Sequence, residues 1–293
     1  MPIVGFGTYL ISNEDAPTAV SNAIRVGYRH VDTAEGYQNE EGVGAGIHAS
    51  LNSEGLSRNQ VFITTKLWPG NAQWGETPKT FETTIESLNA SLERLQLDYI
   101  DLYLIHAPFD PDQRLEQWRG LVELKQQRKV RAIGVSNFNE HHIEELKTAG
   151  LSLPAANQIE LHPWSQKPQL VKYLRENGIA PIAYSSLVPL STWRIAEGQD
   201  SAKTEQMRAE GDRADSSFRG MAEKYGVSEA QVLLRWGVQK GYPVLPKSMN
   251  SERLKQNIDL FSFSIDENDM AAIEKMDRGD GVAWAFGDPT KNA

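Results

Sequence analysis

The chain has 293 residues, 40% of them hydrophobic, and a formal charge of −9. That composition supports a folded core, and the acidic balance argues against a nucleic-acid binder, which needs a clustered basic face. With no cysteine, disulfides, thiolate zinc sites and cysteine nucleophiles are excluded. The start, Met1-Pro-Ile-Val, lacks the basic residues and long apolar run of a signal peptide. No stretch approaches the roughly 18 apolar residues of a membrane span, so a cytoplasmic protein is expected.

Apolar, β-branched runs predict strands at 3–8, 28–32, 61–66, 100–106, 130–136, 156–160, 180–185 and 243–247. Several lack polar alternation, as parallel strands buried on both faces do. Amphipathic stretches lie between them. Residues 80–95 put Ile85, Leu88, Leu92 and Leu95 on one stripe, and 115–128 do the same with Leu115, Trp118 and Val122. The segments 140–148, 169–176, 228–239 and 251–257 follow that plan, and the last two open on serines suited to N-caps.

Eight strands, each followed by a helix, predict a (β/α)8 TIM barrel with long loops at its C-terminal mouth, a single domain spanning 1–293. A doubly wound sheet is the competing arrangement. It calls for a glycine-rich turn after its first strand, and Tyr9-Leu-Ile-Ser-Asn is not one. The cluster Gly42-Val-Gly44-Ala-Gly46 sits inside an apparent helix, where it reads as close helix packing. Two stretches break the rhythm: a polar loop at 188–215, with a short helix expected at 202–210, and a tail at 276–293 carrying Trp284 and Phe286. The long loop is expected to close over a ligand, and the tail aromatics to wall the mouth.

A parallel barrel gathers its strand ends at one rim, so residues far apart in sequence meet there. Asp32 and Tyr37 follow the second strand, Lys66 ends the third and His106 ends the fourth. A lysine beside a tyrosine favours the phenolate, and a carboxylate on the far side keeps the ammonium charged and in place. A histidine nearby can orient a carbonyl oxygen. This constellation suits proton delivery to a developing alkoxide, and it demands a hydride donor such as a nicotinamide cofactor. His141 and His142 are expected to be solvated at a helix start, His30 to face outward or pack, and His162 to hold a loop. No H-E-x-x-H or G-x-S-x-G occurs, so zinc and serine hydrolases gain no support, and no metal is expected.

The segments Gly27-Tyr-Arg-His-Val-Asp-Thr-Ala, Thr65-Lys-Leu-Trp68, Leu104-Ile-His106, Ile133-Gly-Val-Ser-Asn-Phe138, Asn157-Gln-Ile-Glu-Leu-His-Pro163 and Leu245-Pro-Lys-Ser248 resemble, in order, signatures of the aldo-keto reductases. The resemblance implies a (β/α)8 barrel reducing aldehydes and ketones with NAD(P)H. It implies Tyr37 as proton donor, its pKa lowered by Lys66 and Asp32, with His106 orienting the carbonyl. Ser136, Asn137 and Gln158 would hold the nicotinamide carboxamide, and Tyr184 would stack on the ring. Ser185 and Leu187 would line the pyrophosphate path. Lys247, Ser248, Arg253 and Asn257 would hold the adenosine 2′-phosphate and adenine, which favours NADPH because two cations can meet a phosphate. Tyr9, Trp68 and Trp284 would form the substrate wall. Tyr9, Ala107, Met249 and Gln256 depart from common family residues, and the hairpin that commonly precedes the first barrel strand is missing from the resemblance. A small carbonyl compound as partner and a monomeric state are expected. The alternative is a nucleotide-binding regulatory or sensor barrel with little turnover.

Overall fold

The computed structural model describes residues 1–190, 205, 209, 217–279, 281, 283–284 and 287–291. The expected loop helix at 202–210 and Phe286 lie outside them, apart from residues 205 and 209. Seven parallel strands form one sheet in sequence order: β1 (Phe6–Gly7), β2 (His30–Asp32), β3 (Phe62–Leu67), β4 (Ile100–Ile105), β5 (Val130–Ser136), β6 (Ala156–Glu160) and β7 (Ala180–Tyr184). Sequential order with parallel pairing means every crossover runs to the adjacent strand, which curls the sheet into part of a barrel. The eighth expected strand, 243–247, forms no ladder. Its Val244 makes isolated parallel bridges to Val4 on one side and Ala183 on the other. Backbone bonds Gly5 N–H to Val244 O and Ala183 N–H to Pro243 O, both 2.8 Å, accompany them.

Helices α1 (Ala16–Val26), α2 (Glu40–Ser53), α3 (Phe81–Leu95), α4 (Arg114–Gln126), α5 (Glu140–Thr148) and α6 (Pro168–Glu176) alternate with the strands, and among the described residues four more follow β7 at Ser217–Tyr225, Glu229–Gln239, Ser251–Ile258 and Glu267–Glu274. The expected cap holds at Ser228, which accepts the Gln231 N–H, and Thr80 caps α3 in the same way through the Thr83 N–H. Helix Ser251–Ile258 differs: Asn250 caps it, taking the N–H groups of Glu252 and Arg253, so Ser251 is its first residue.

Strand alternation divides the apolar residues into two cores. The larger lies between sheet and helices and takes Tyr103 and Ile105 of β4. The smaller fills the concave side with Leu102, Leu104, Ala156 and Ile182. The glycine cluster does what its helical placement predicts. A Cβ on Gly42 would lie 2.1 Å from the Asn13 carbonyl oxygen, and one on Gly44 2.4 Å from that of Leu95. Those glycines let α2 press against the start of α1 and the end of α3.

Candidate active site

The concave side becomes polar toward the C-terminal strand ends. Lys66 pairs in register with Leu104 and so shares its inner face. From that position its ammonium lies 2.6 Å from Asp32 Oδ1, 2.9 Å from the Thr33 carbonyl and 3.4 Å from the Tyr37 hydroxyl. Tyr37 stands on a single 3₁₀ turn, Glu35–Tyr37, directly after β2. The His106 ring packs edge-on against Tyr37 with centroids 5.5 Å apart. All four ionisable residues expected at the mouth are therefore together.

Burial governs their charge states. Lys66 is fully buried; burial pulls its pKa down, but Asp32 and Tyr37 together more than offset that and hold it above its usual value. Burial and then Lys66 push His106 well below 6.5, so its ring is neutral at pH 7. Tyr37 corrects the sequence expectation. Lys66 does draw its pKa down, but burial raises it further, and the phenol sits above its ordinary value of 10.0.

The cofactor-binding candidates form a second arc at the same rim. Gln158 donates from Nε2 to Asp32 Oδ2 at 2.7 Å, and its carbonyl takes the Ser136 hydroxyl at 2.7 Å. Asn137 donates to the His106 carbonyl at 3.0 Å and to Ser136 Oγ at 3.1 Å. The Tyr184 hydroxyl donates to Asn137 Oδ1 at 2.7 Å. Asn137 and Ser185 hold left-handed backbone at φ 63° and 54°, the kind of strain that collects at working sites. Leu187 is half-buried against the core. Ser248 and Asn257 are buried, Lys247 is half-buried and Arg253 is exposed at the start of its helix. Two amides and a hydroxyl suit a primary carboxamide, and two cations beside a helix start suit a phosphate monoester. The donor set fits a nicotinamide dinucleotide.

Aromatic rings surround the pair Tyr37 and His106. Tyr9 lies 5.0 Å from Tyr37, while Trp68 and Trp284 lie 5.5 and 5.9 Å from His106, centroid to centroid. Trp74 and Phe109 complete the wall, with Phe109 5.7 Å from Trp284. Sequence reasoning missed both. Each sits in a loop leaving β3 or β4 at the mouth, and that placement is the signal that could have found them. It also missed Glu160, a buried carboxylate that accepts the Ala283 N–H at 2.9 Å and ties the tail to the end of β6.

The remaining histidines divide. His162 binds Glu160 across 2.8 Å and holds its loop, as expected. His30 is buried with Nε2 2.9 Å from Thr64 Oγ1, so it packs. His142 is a correction. It is fully buried, because its Nδ1 accepts the Asn139 N–H and closes a capping box, whereas His141 is exposed. Among the described residues no cluster of His, Asp and Glu is placed to hold a metal, and no helix is long and apolar enough to cross a membrane.

The model of the aldo/keto reductase family matches residues 4–278. The chain belongs to that family. The reductase chain is 38% identical over 280 residues to the methylglyoxal reductase DkgA of Escherichia coli (strain K12), covering 95% of this chain and 90% of that one. It is 39% identical to the glyoxal reductase of Bacillus subtilis (strain 168), covering 96% and 91%. Among solved structures, an aldo-keto reductase of Bombyx mori in complex with NADP superposes with a TM-score of 0.82 at 36% identity, covering 96% of this chain and 91% of that one.

Proposed function

We propose that this protein is a cytoplasmic, monomeric, NADPH-dependent reductase of small aldehydes and ketones, with Val244 carried on the eighth stave of a closed (β/α)8 barrel. The supporting observation is a buried ammonium that touches a carboxylate on one side and a phenol on the other, beneath a neutral imidazole. Bound NADPH supplies the hydride for the carbonyl carbon. Ser136, Asn137 and Gln158 hold its carboxamide, Tyr184 stacks on its ring, and Ser185 and Leu187 line the pyrophosphate path. Lys247, Ser248, Arg253 and Asn257 hold the adenosine end. Tyr37 gives its proton to the carbonyl oxygen, and the phenolate left behind is stabilised by Lys66. His106 Nδ1 is buried without a partner. A buried lone pair is a cheaper orphan than a buried N–H, which puts the proton on Nε2 as the donor for that oxygen.

Tyr9, Trp68 and Trp284 wall a space suited to a compact substrate, and the relatives named for glyoxal and methylglyoxal reduction point to α-dicarbonyls among the candidates. The test is NADPH oxidation against a carbonyl panel that includes both dicarbonyls, repeated with NADH. Turnover with preference for NADPH is expected. Replacing Lys247 and Arg253 together by serine should erase the preference. Equal use of the two cofactors by the intact chain would remove the 2′-phosphate assignment, and no turnover with any carbonyl would favour a regulatory barrel.

A further inference from the structure

Gln158 stands where the family resemblance asks only for a cofactor contact, yet its amide N–H is already engaged. It donates to Asp32 Oδ2 at 2.7 Å across 126 residues of sequence, from β6 to β2, so the bond crosses the mouth instead of joining neighbouring strands. The other oxygen of that carboxylate faces Lys66 at 2.6 Å. Both oxygens are thereby fixed from opposite sides in a buried setting, where a carboxylate with one partner could turn. Lys66 depends on this arrangement. Its three protons are directed at Asp32, the Thr33 carbonyl and Tyr37, and the last contact, 3.4 Å, is the longest.

We propose that Gln158 is a positioning residue of the proton-donating group: its amide N–H locks the Asp32 carboxylate, and the locked carboxylate aims Lys66 at Tyr37. This rests on the reductase reading above. The Gln158 Oε1 remains for an amide N–H of the nicotinamide carboxamide, so one side chain would touch the cofactor through oxygen and the proton donor's support through nitrogen. Hydride source and proton source are then held by a common residue.

The groups facing Tyr37 are Lys66 from β3, Asp32 from β2, His106 beyond β4, Tyr9 from the loop after β1 and Tyr184 from β7. His30, two residues before Asp32, is the other titratable group near the carboxylate. Removing the Gln158 donor changes none of these side chains. It concentrates the carboxylate charge on Lys66, which then offers less to the phenol and leaves it a weaker acid.

Gln158→Met keeps the length and removes the donor, and Ser136→Ala serves as a change on the cofactor side that does not touch Asp32. In the cofactor-free full chain, ζ-13C-tyrosine NMR with Tyr37 assigned by Tyr37→Phe should show the Tyr37 resonance displaced in Gln158→Met and unmoved in Ser136→Ala. At saturating NADPH, the alkaline limb of kcat should move up by about one pH unit in Gln158→Met only. An unmoved resonance, or a limb that stays or moves toward acid, overturns the proposal. Should Gln158→Met not fold, Gln158→Leu, which also lacks a donor, gives the same readings. Absence of turnover in the unmodified chain would instead defeat the reductase reading and leave the NMR result to judge the positioning role.

Discussion

Two buried carboxylates flank β3, one on each face, and they are finished differently. On the outer face Glu40 accepts Thr65 Oγ1 at 2.6 Å, Ser91 Oγ at 3.0 Å and Arg94 Nε at 2.8 Å. Every donor in that group ends on the carboxylate, and the network is closed. On the inner face Asp32 is equally buried, but its partner Lys66 leads on to a phenol at 3.4 Å, beside an imidazole whose Nδ1 has no partner. Thr65 and Lys66 are adjacent in sequence, so alternation along a single strand separates the closed network from the one proposed to react. A closed buried network stabilises; one that ends on a long contact to a phenol keeps room for another oxygen.

The most severe test of that contrast is Tyr37→Phe. Loss of the proposed proton donor should lower kcat by about 10²–10⁴-fold with the thermal midpoint unchanged, read by steady-state kinetics and calorimetry. A small loss would mean the inner network is structural like the outer one.

His30 separates depth on the inner face from function there. Burial, the largest influence, lowers its pKa from 6.5 to about 4. The unfolded chain therefore binds a proton that the folded chain refuses between those values, so stability falls as pH drops through that window and levels off below it. At 1.36 kcal/mol per unit the loss is about 3 kcal/mol. Urea unfolding across the window should show it, and His30→Gln should flatten it.

Glu40→Gln probes the closed side. The substitution keeps shape and an acceptor but leaves Arg94 without its charge partner. Because the Arg94 side chain is 34% exposed and can rehydrate, the cost should be about 2 kcal/mol, below that of breaking a fully buried pair. Urea unfolding reads the loss, and kcat should be unchanged. A drop in kcat comparable to that of Tyr37→Phe would dissolve the distinction between the two faces.

The sequence made the rim visible because strand ends are marked by where apolar runs stop. The spans of β5, β6 and α5 agree with expectation to the residue, and Asp32, Lys66 and His106 sit where those stops put them. What it could not show was burial and long-range pairing. His142 looked solvated because its neighbours are polar, yet a cap three residues long turns it inward. The phenol looked acidic because the lysine was legible and the desolvation was not. The bond from Gln158 to Asp32 leaves no local trace at all.

The tail supplies the mildest test, and it asks how far the inner network extends. Trp284 donates from Nε1 to the Tyr184 hydroxyl at 3.0 Å, and that hydroxyl already donates to Asn137. The tail is thus wired into the arc that would carry the nicotinamide, whereas among the described residues nothing leads outward from Glu40 beyond its own donors. Trp284→Phe removes the N–H and keeps a ring facing His106 and Phe109. One neutral hydrogen bond is worth about 0.5–1.5 kcal/mol, so NADPH affinity should weaken by about two- to twelvefold, measured by fluorescence titration. The Michaelis constant for an aldehyde should change less, because the aromatic wall persists. If the aldehyde constant moved and the cofactor affinity did not, Trp284 would belong to the substrate wall alone and the inner network would end at Tyr184.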